Sequence, residues 1–326
     1  MSAHSQTVDG SKLASLAGLS TIVADTGEIE QIKRFRPQDC TTNPSLLLKA
    51  AQLETYQGLV NEAIEWGRGR TNTREGDIEA IMDRLAVGFG RELLEIVPGC
   101  VSTEVDADRS FDAEASIEKA HRFIQMYEDI GVPKDRVLIK LAATWEGVEA
   151  ARVLQREGIN CNMTLIFSRI QAVACAQAGA FLVSPFVGRI TDWYKAREGR
   201  DFEPSEDPGV QSVRSIYDYF KAHGLSTIVM AASFRTTAQI LELAGCDRLT
   251  IAPKLLEELQ GEQGEVAPGL DAASSRAKDI PALDIDEPSF RWELNGDPMA
   301  TEKLAAGIRG FHQDAMKLRD YIATLR

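Results

Sequence analysis

Eight short runs rich in β-branched and aliphatic residues, separated by longer helix-compatible stretches, constrain this chain more than any other feature. They cover residues 20–25, 39–42, 101–106, 137–143, 159–166, 181–186, 227–233 and 248–252. Helical patterns fall between them, at 115–130, 145–157, 168–178, 210–223 and 237–244. The first opens on the acidic turn Asp112-Ala-Glu114, as a helix N-terminus prefers, and Gly158 stops the second. About eight strand–helix units predict an α/β fold with a parallel sheet, closed as a (β/α)8 TIM barrel or open and doubly wound. The connection 26–38 is short for a full crossover helix, whereas 44–99 has room for several. A tail over 301–326 spaces Leu304, Ile308, Phe311, Ala315, Leu318 and Ile322 as an amphipathic helix. One domain over residues 1–326 is expected, with a flexible start at about 1–12. The polar stretch 195–209 reads as a lid or a solvated loop, and 257–288 as a loose surface excursion.

Composition removes several function classes. A formal net charge of −13 opposes nucleic-acid backbone and anionic membrane surfaces, though local arginines can still hold a small phosphate. No uninterrupted apolar run approaches the ~20 residues of a spanning helix, and the first residues lack a signal-peptide pattern. The 5 cysteines, Cys40, Cys100, Cys161, Cys175 and Cys246, show no C-x-x-C spacing, and the 4 histidines show no metal spacing. Reduced thiols in a cytoplasmic protein without metal are expected. No GxGxxG or GxxxxGK[ST] fingerprint supports a nucleotide cofactor.

Within the run Val137-Leu-Ile-Lys-Leu-Ala-Ala143, Lys140 is the one charged residue. Strand alternation puts it on the face of Leu138 and Ala142, with Val137, Ile139 and Leu141 opposite. Burying an ammonium is costly and commonly lowers its pKa, and a neutral amine attacks carbonyls. Lys140 is therefore a candidate Schiff-base lysine, against the plainer alternative of a lysine snorkelling from a strand end. Other runs carry polar faces too: Asp25 with Thr21 and Val23; Ser102, Glu104 and Asp106; Asn160, Asn162 and Thr164; Ser184 between Leu182 and Phe186. Strands buried on both sides normally have no polar face. Such faces on several strands predict a polar pocket at the barrel mouth. In it, Asp25 is the candidate strand-end base. Glu104 and Thr164 could hold a proton-shuttling water, Glu104 alternatively pairing directly with Lys140. Asn43 and Asn162 offer amides to sugar hydroxyls, although Asn43 also suits a turn before Pro44. Ser184 with Arg189, and Ser233 with Arg235, are candidates for phosphate.

Read together, these residues resemble transaldolase. The motifs are Val23-Ala-Asp-Thr-Gly27, Asp39-Cys-Thr-Thr-Asn-Pro-Ser45, Val101-Ser-Thr-Glu-Val-Asp106, Ile139-Lys-Leu-Ala142 and Gly158-Ile-Asn-Cys-Asn-Met-Thr-Leu165. Ser184-Pro-Phe-Val-Gly-Arg-Ile190, Asp192-Trp-Tyr-Lys195, Ala232-Ser-Phe-Arg235 and Ala244-Gly-Cys-Asp-Arg-Leu-Thr-Ile251 follow in family order. The length resembles the long, classical transaldolases rather than the short fructose-6-phosphate aldolase-like branch. The resemblance implies a class I aldolase barrel, a cytoplasmic homodimer, and no metal or organic cofactor. It implies transfer of a dihydroxyacetone unit from sedoheptulose 7-phosphate to glyceraldehyde 3-phosphate, giving erythrose 4-phosphate and fructose 6-phosphate, in the non-oxidative pentose phosphate pathway. By position it assigns the Schiff base to Lys140, proton transfer to Asp25, and the catalytic water to Glu104 and Thr164. Sugar contacts fall on Asn43, Thr41, Asn162, Ser184 and Phe186, and phosphate contacts on Arg189, Ser233 and Arg235. Two departures are Cys40, where alanine is common, and Ala231, where many relatives carry glycine; Ala231 is expected to crowd the strand beside the phosphate loop. Rival classes are a phosphosugar isomerase without a covalent lysine, a sugar-phosphate-binding protein, and a simple aldolase that releases dihydroxyacetone.

Overall fold

Eight strands pair in parallel in sequence order, and the last returns to the first. They are β1 (Thr21–Asp25), β2 (Asp39–Thr41), β3 (Val101–Glu104), β4 (Val137–Ala142), β5 (Cys161–Ile166), β6 (Leu182–Pro185), β7 (Ile228–Ala231) and β8 (Arg248–Ile251). The computed structural model describes residues 10–325. Closure decides between the two architectures open to the sequence: the sheet is a (β/α)8 barrel.

The outer layer follows from short-range signals. Asp112 caps the helix Ala113–Glu128 and Thr144 caps Trp145–Arg156, each side chain accepting a first-turn N–H. The second helix buries Val148, Ala151 and Leu154 at helical spacing against the barrel. The connection 44–99 holds three helices, Pro44–Ala51, Gln57–Gly67 and Arg74–Leu94. Tyr56, Val60, Ile81 and Phe89 from this region pack with Leu318 and Ile322 of the C-terminal helix Pro298–Leu325. That helix then passes over the barrel mouth, where Leu304, Ile308 and Phe311 meet Leu165, Phe186 and Ile190. Gly307 permits the approach, because a Cβ there would lie 2.7 Å from Leu165 Cδ2.

Inside the barrel, Val23, Leu138, Leu182 and Met230 form an apolar layer. Toward the N-terminal end, Asp39 pairs with Arg248, whose guanidinium also lies over Phe181.

Several expectations are corrected. Of the start expected to be flexible, residues 1–9 lie outside the described residues, but Ser11 is buried and caps the helix Lys12–Ala17. Its bridge to Gln263 and the Lys12 N–H bond to the Glu262 carbonyl tie this segment down. Residues 195–198 continue the helix Gly188–Glu198, Pro204–Glu206 forms a 3-10 turn, and the buried Asp207 caps Pro208–Ala222, so loop is confined to residues 199–203. The stretch 257–288 is pinned by buried Leu270 and Ile285, and by Ser275 donating to Asp218 at 2.6 Å. Ala231, on β7 just before the loop of Ser233, packs into the core between barrel and helices.

Candidate active site

Register sets the centre of the site. Glu104 on β3 lies opposite Lys140 on β4, Lys140 opposite Asn162 on β5, and Ala142 opposite Thr164. Lys140 is 5% exposed; its Nζ donates to the Thr42 carbonyl at 3.1 Å and lies 2.9 Å from Glu104 Oε2. The Lys140–Glu104 contact is a buried ion pair. Glu104 thus contacts Lys140 directly in this structure. The lysine is not a snorkelling one.

Asp25, at the end of β1, accepts a hydrogen bond from Thr41 Oγ1 at 3.0 Å, and Thr41 Oγ1 is 3.1 Å from Thr250 Oγ1. Burial pushes the Asp25 carboxyl above its ordinary value, against the pull of Lys140, the Thr41 hydroxyl and Arg189. Burial does the same to Glu104, again against Lys140. Both acids therefore sit where holding or receiving a proton is easier than in water.

The sign of the Asp25 shift has a consequence for stability. An acid whose folded value exceeds its unfolded value binds its proton more tightly when folded. Its contribution to stability falls as pH rises above the unfolded value of 3.8, until the folded group ionises as well. Asp25→Asn is expected to raise the thermal unfolding midpoint at pH 7, with the gain disappearing below the unfolded pKa. A midpoint lowered at pH 7 contradicts this electrostatic account.

Asn162 links the middle of the pocket: its Nδ2 donates to Ser102 Oγ at 3.0 Å and its Oδ1 accepts from Ser184 Oγ at 2.7 Å. Asn43 has both of its expected uses. Its Oδ1 accepts the Leu46 N–H at 3.0 Å as the cap of Pro44–Ala51, while the residue lines the pocket. Thr164 Oγ1 is buried and has no hydrogen-bond partner among the described residues.

Arg189 stands at the rim, its guanidinium 5.0 Å from the Phe186 ring and 5.6 Å from that of Phe311. Burial lowers its pKa, and the neighbouring positive charge of Arg235 adds to the effect. Among the described residues no carboxylate forms an ion pair with it. Arg235 binds the Asp192 carboxylate through Nε and Nη2 at 3.1 and 2.8 Å. Its Nη1 lies 3.4 Å from Ser233 Oγ, on a loop turned by the positive φ of Ser233, +62°. Two cations converging beside a neutral hydroxyl suit a dianionic phosphate. A larger hollow outside the barrel is bordered by Glu28, Glu30, Glu62, Glu92 and Glu95 against Lys33 and Arg91, a lining of net negative charge that disfavours such a group.

The model of the family Transaldolase/Fructose-6-phosphate aldolase matches residues 22–322. The transaldolase of Vibrio campbellii is 56% identical over 313 residues, covering 96% of this chain and 98% of its own. The transaldolase of Aliivibrio salmonicida is 56% identical over 312 residues, with the same coverage. That of Vibrio cholerae serotype O1 El Tor is 56% identical over 313 residues, again 96% of this chain and 98% of its own. The chain belongs to the transaldolase/fructose-6-phosphate aldolase family.

For a transaldolase-family barrel, the sequence had named most of the pocket. Asp25, Thr41, Asn43, Lys140 and Thr164 line it, as do Ser184, Phe186, Arg189 and Ser233. Glu104, Asn162 and Arg235 contact those residues directly. Asp106, grouped with Glu104 by parity, is not brought in. Strand β3 ends at Glu104, and Asp106 Oδ2 instead lies 2.9 Å from Lys119 Nζ of the outer helix Ala113–Glu128. Thr250, Met230, Ala232 and Phe311 also line the pocket and were missed. Parity in β8 could have found Thr250, but no local signal brings Phe311 across the barrel mouth.

Proposed function

We propose that Lys140 carries the chemistry of this transaldolase as an enzyme-bound iminium. The observation behind this is a buried lysine paired with an acid that burial makes easier to protonate. Passing a proton from the ammonium to Glu104 leaves a neutral amine and a neutral acid, which a dry site tolerates better than two charges. The amine attacks the ketone of sedoheptulose 7-phosphate. Glu104 and the Thr164 hydroxyl hold a water that returns a proton as the carbinolamine loses its hydroxyl as water. Asp25 removes the proton from the hydroxyl beyond the scissile bond. That carbon–carbon bond breaks, its electrons enter the iminium, and erythrose 4-phosphate departs. The resulting enamine attacks glyceraldehyde 3-phosphate, Asp25 gives the proton back, and hydrolysis of the new iminium releases fructose 6-phosphate.

Thr41, Asn43, Asn162 and Ser184 offer donors and acceptors to the sugar hydroxyls, with Phe186 packed beside them. Arg189, Ser233 and Arg235 hold the phosphate. The pocket volume is about 60 Å³, and Arg189 and Phe311 line it at the rim.

Transfer and simple aldol cleavage share every step up to the enamine, and the family includes both activities by name. With fructose 6-phosphate as donor, erythrose 4-phosphate as acceptor should be required for sustained turnover. Equal turnover without acceptor, accompanied by free dihydroxyacetone, would identify a simple aldolase. Among the described residues no helix is long and apolar enough to cross a membrane. A cytoplasmic homodimer is part of the same proposal; light scattering that reads the mass of a single chain would remove the dimer.

A further inference from the structure

Arg189 and Arg235 belong to different elements: the helix Gly188–Glu198, and the loop between β7 and the helix Thr237–Glu242. Two backbone bonds join these elements at the rim, Val187 N–H to the Ala232 carbonyl at 2.9 Å and Gly188 N–H to the Ser233 carbonyl at 2.8 Å. Behind them lies a polar network of Thr191, Asp207 and Gln239, at 3%, 4% and 4% exposure.

Gln239 is its hub. Its Oε1 accepts the backbone N–H of Arg235 at 2.8 Å. Its Nε2 donates to Thr191 Oγ1 at 3.0 Å and to Asp207 Oδ2 at 2.8 Å. Thr191 is on the Arg189 helix, and its hydroxyl donates to Asp207 Oδ1 at 2.7 Å. The same Asp207 oxygen accepts the N–H groups of Gly209 and Val210 at 2.8 and 3.1 Å. The network therefore ties three elements together at one carboxylate. Its polarity is fixed: the Arg235 N–H can only donate and the Asp207 carboxylate can only accept, so the amide has one allowed orientation. By contrast, the Arg235–Asp192 ion pair is 43% and 46% exposed, and exposed pairs hold geometry weakly.

We propose that Gln239 is a positioning residue that, through Asp207 and Thr191, sets the spacing of the two arginines and with it the affinity for the substrate phosphate. This rests on Arg189 and Arg235 holding that phosphate. It assigns Gln239 no contact with substrate.

The fixed polarity supplies a reciprocal test. Gln239→Glu sets a second carboxylate against Asp207, a buried like-charge contact. Asp207→Asn turns an amide NH2 toward the Gln239 NH2, a clash of donors. The double variant restores a matched pair, because the new carboxylate accepts both the Arg235 N–H and the new amide. The measurements are the inhibition constant of inorganic phosphate, the KM for fructose 6-phosphate, and borohydride trapping of dihydroxyacetone, a ketone without phosphate.

Each single variant should raise the phosphate inhibition constant and the KM roughly fivefold or more, while trapping of saturating dihydroxyacetone stays within about twofold. The double variant should recover at least most of the loss. Phosphate and dihydroxyacetone affected alike, or no recovery in a folded double variant, would overturn the positioning role. If the charged variants do not fold, Gln239→Met removes the Arg235 bond without adding charge and must show the same split; an unchanged inhibition constant there also overturns it. Arg235→Ala is the separate control. If it leaves phosphate inhibition untouched, the phosphate assignment itself is wrong, whatever Gln239 does.

Discussion

Lys140→Met is expected to reduce transaldolase turnover roughly 10⁴-fold or more, the scale on which loss of a covalent nucleophile acts. The replacement matches the length of the buried stem but has no nitrogen to attack a ketone. Glu104 then loses its ion-pair partner, a change that is strongly destabilising if the acid stays ionised. Burial already favours its protonated form, and losing Lys140 removes the first of the influences opposing that. The variant should therefore fold with Glu104 protonated. Inorganic phosphate should still bind, because the arginines lie at the rim. A phosphosugar isomerase on the same barrel would keep its activity in this variant, since its chemistry needs acids and bases but no amine. Residual turnover within tenfold of the parent would favour that class.

Arg189→Lys combined with Arg235→Ala should raise the KM for fructose 6-phosphate roughly a hundredfold. Hydrogen bonds to charged groups contribute about 1.5–3 kcal/mol each, and every 1.4 kcal/mol is tenfold. Arg235 is partly exposed, so its truncation leaves no internal void. Arg189 is packed between Phe186 and Phe311, and lysine preserves the charge there while losing the planar fork. Steady-state kinetics with fructose 6-phosphate, alongside inhibition by inorganic phosphate, read this directly. Both constants should move together. A KM that stays put while kcat falls would mean that the arginines act on the reacting carbons, not on the phosphate.

Much of the architecture was legible because strand and helix signals are local. Val137-Leu-Ile in β4 and Val101-Ser-Thr in β3 announce strands by branched side chains, and Asp112 and Thr144 announce helix starts by capping. Side-chain parity then placed Lys140, Glu104, Asn162 and Ser184 on one interior face without knowledge of the register. It failed where backbone geometry departs from a regular strand. Strict alternation puts Leu165 on the face opposite Asn162 and Thr164, yet the register of β5 shifts between Met163 and Ile166, and Leu165 takes φ +55°. Its side chain joins Phe186 and Phe311 at the mouth. Asp106 failed for a different reason: its partner Lys119 sits on another element, and long-range ion pairs leave no periodicity to read.

The ion pair at the centre was illegible for the same reason. Two readings of Glu104 were open in sequence, and only the pairing of β3 with β4 brings it within 2.9 Å of Lys140. Phe311 illustrates the limit from the other side. Its spacing with Leu304, Ile308 and Leu318 predicted an amphipathic helix but not that the helix crosses the mouth. The Gln239 network was equally silent, since each member reads locally as an ordinary surface polar residue.

Covalent capture tests the central claim most directly. Incubation with fructose 6-phosphate followed by borohydride should reduce the enzyme-bound iminium to a stable secondary amine. Peptide mass mapping should then find a three-carbon adduct on Lys140, with activity lost in proportion to labelling. No adduct under conditions of turnover, or an adduct on another lysine, would contradict the Lys140 mechanism.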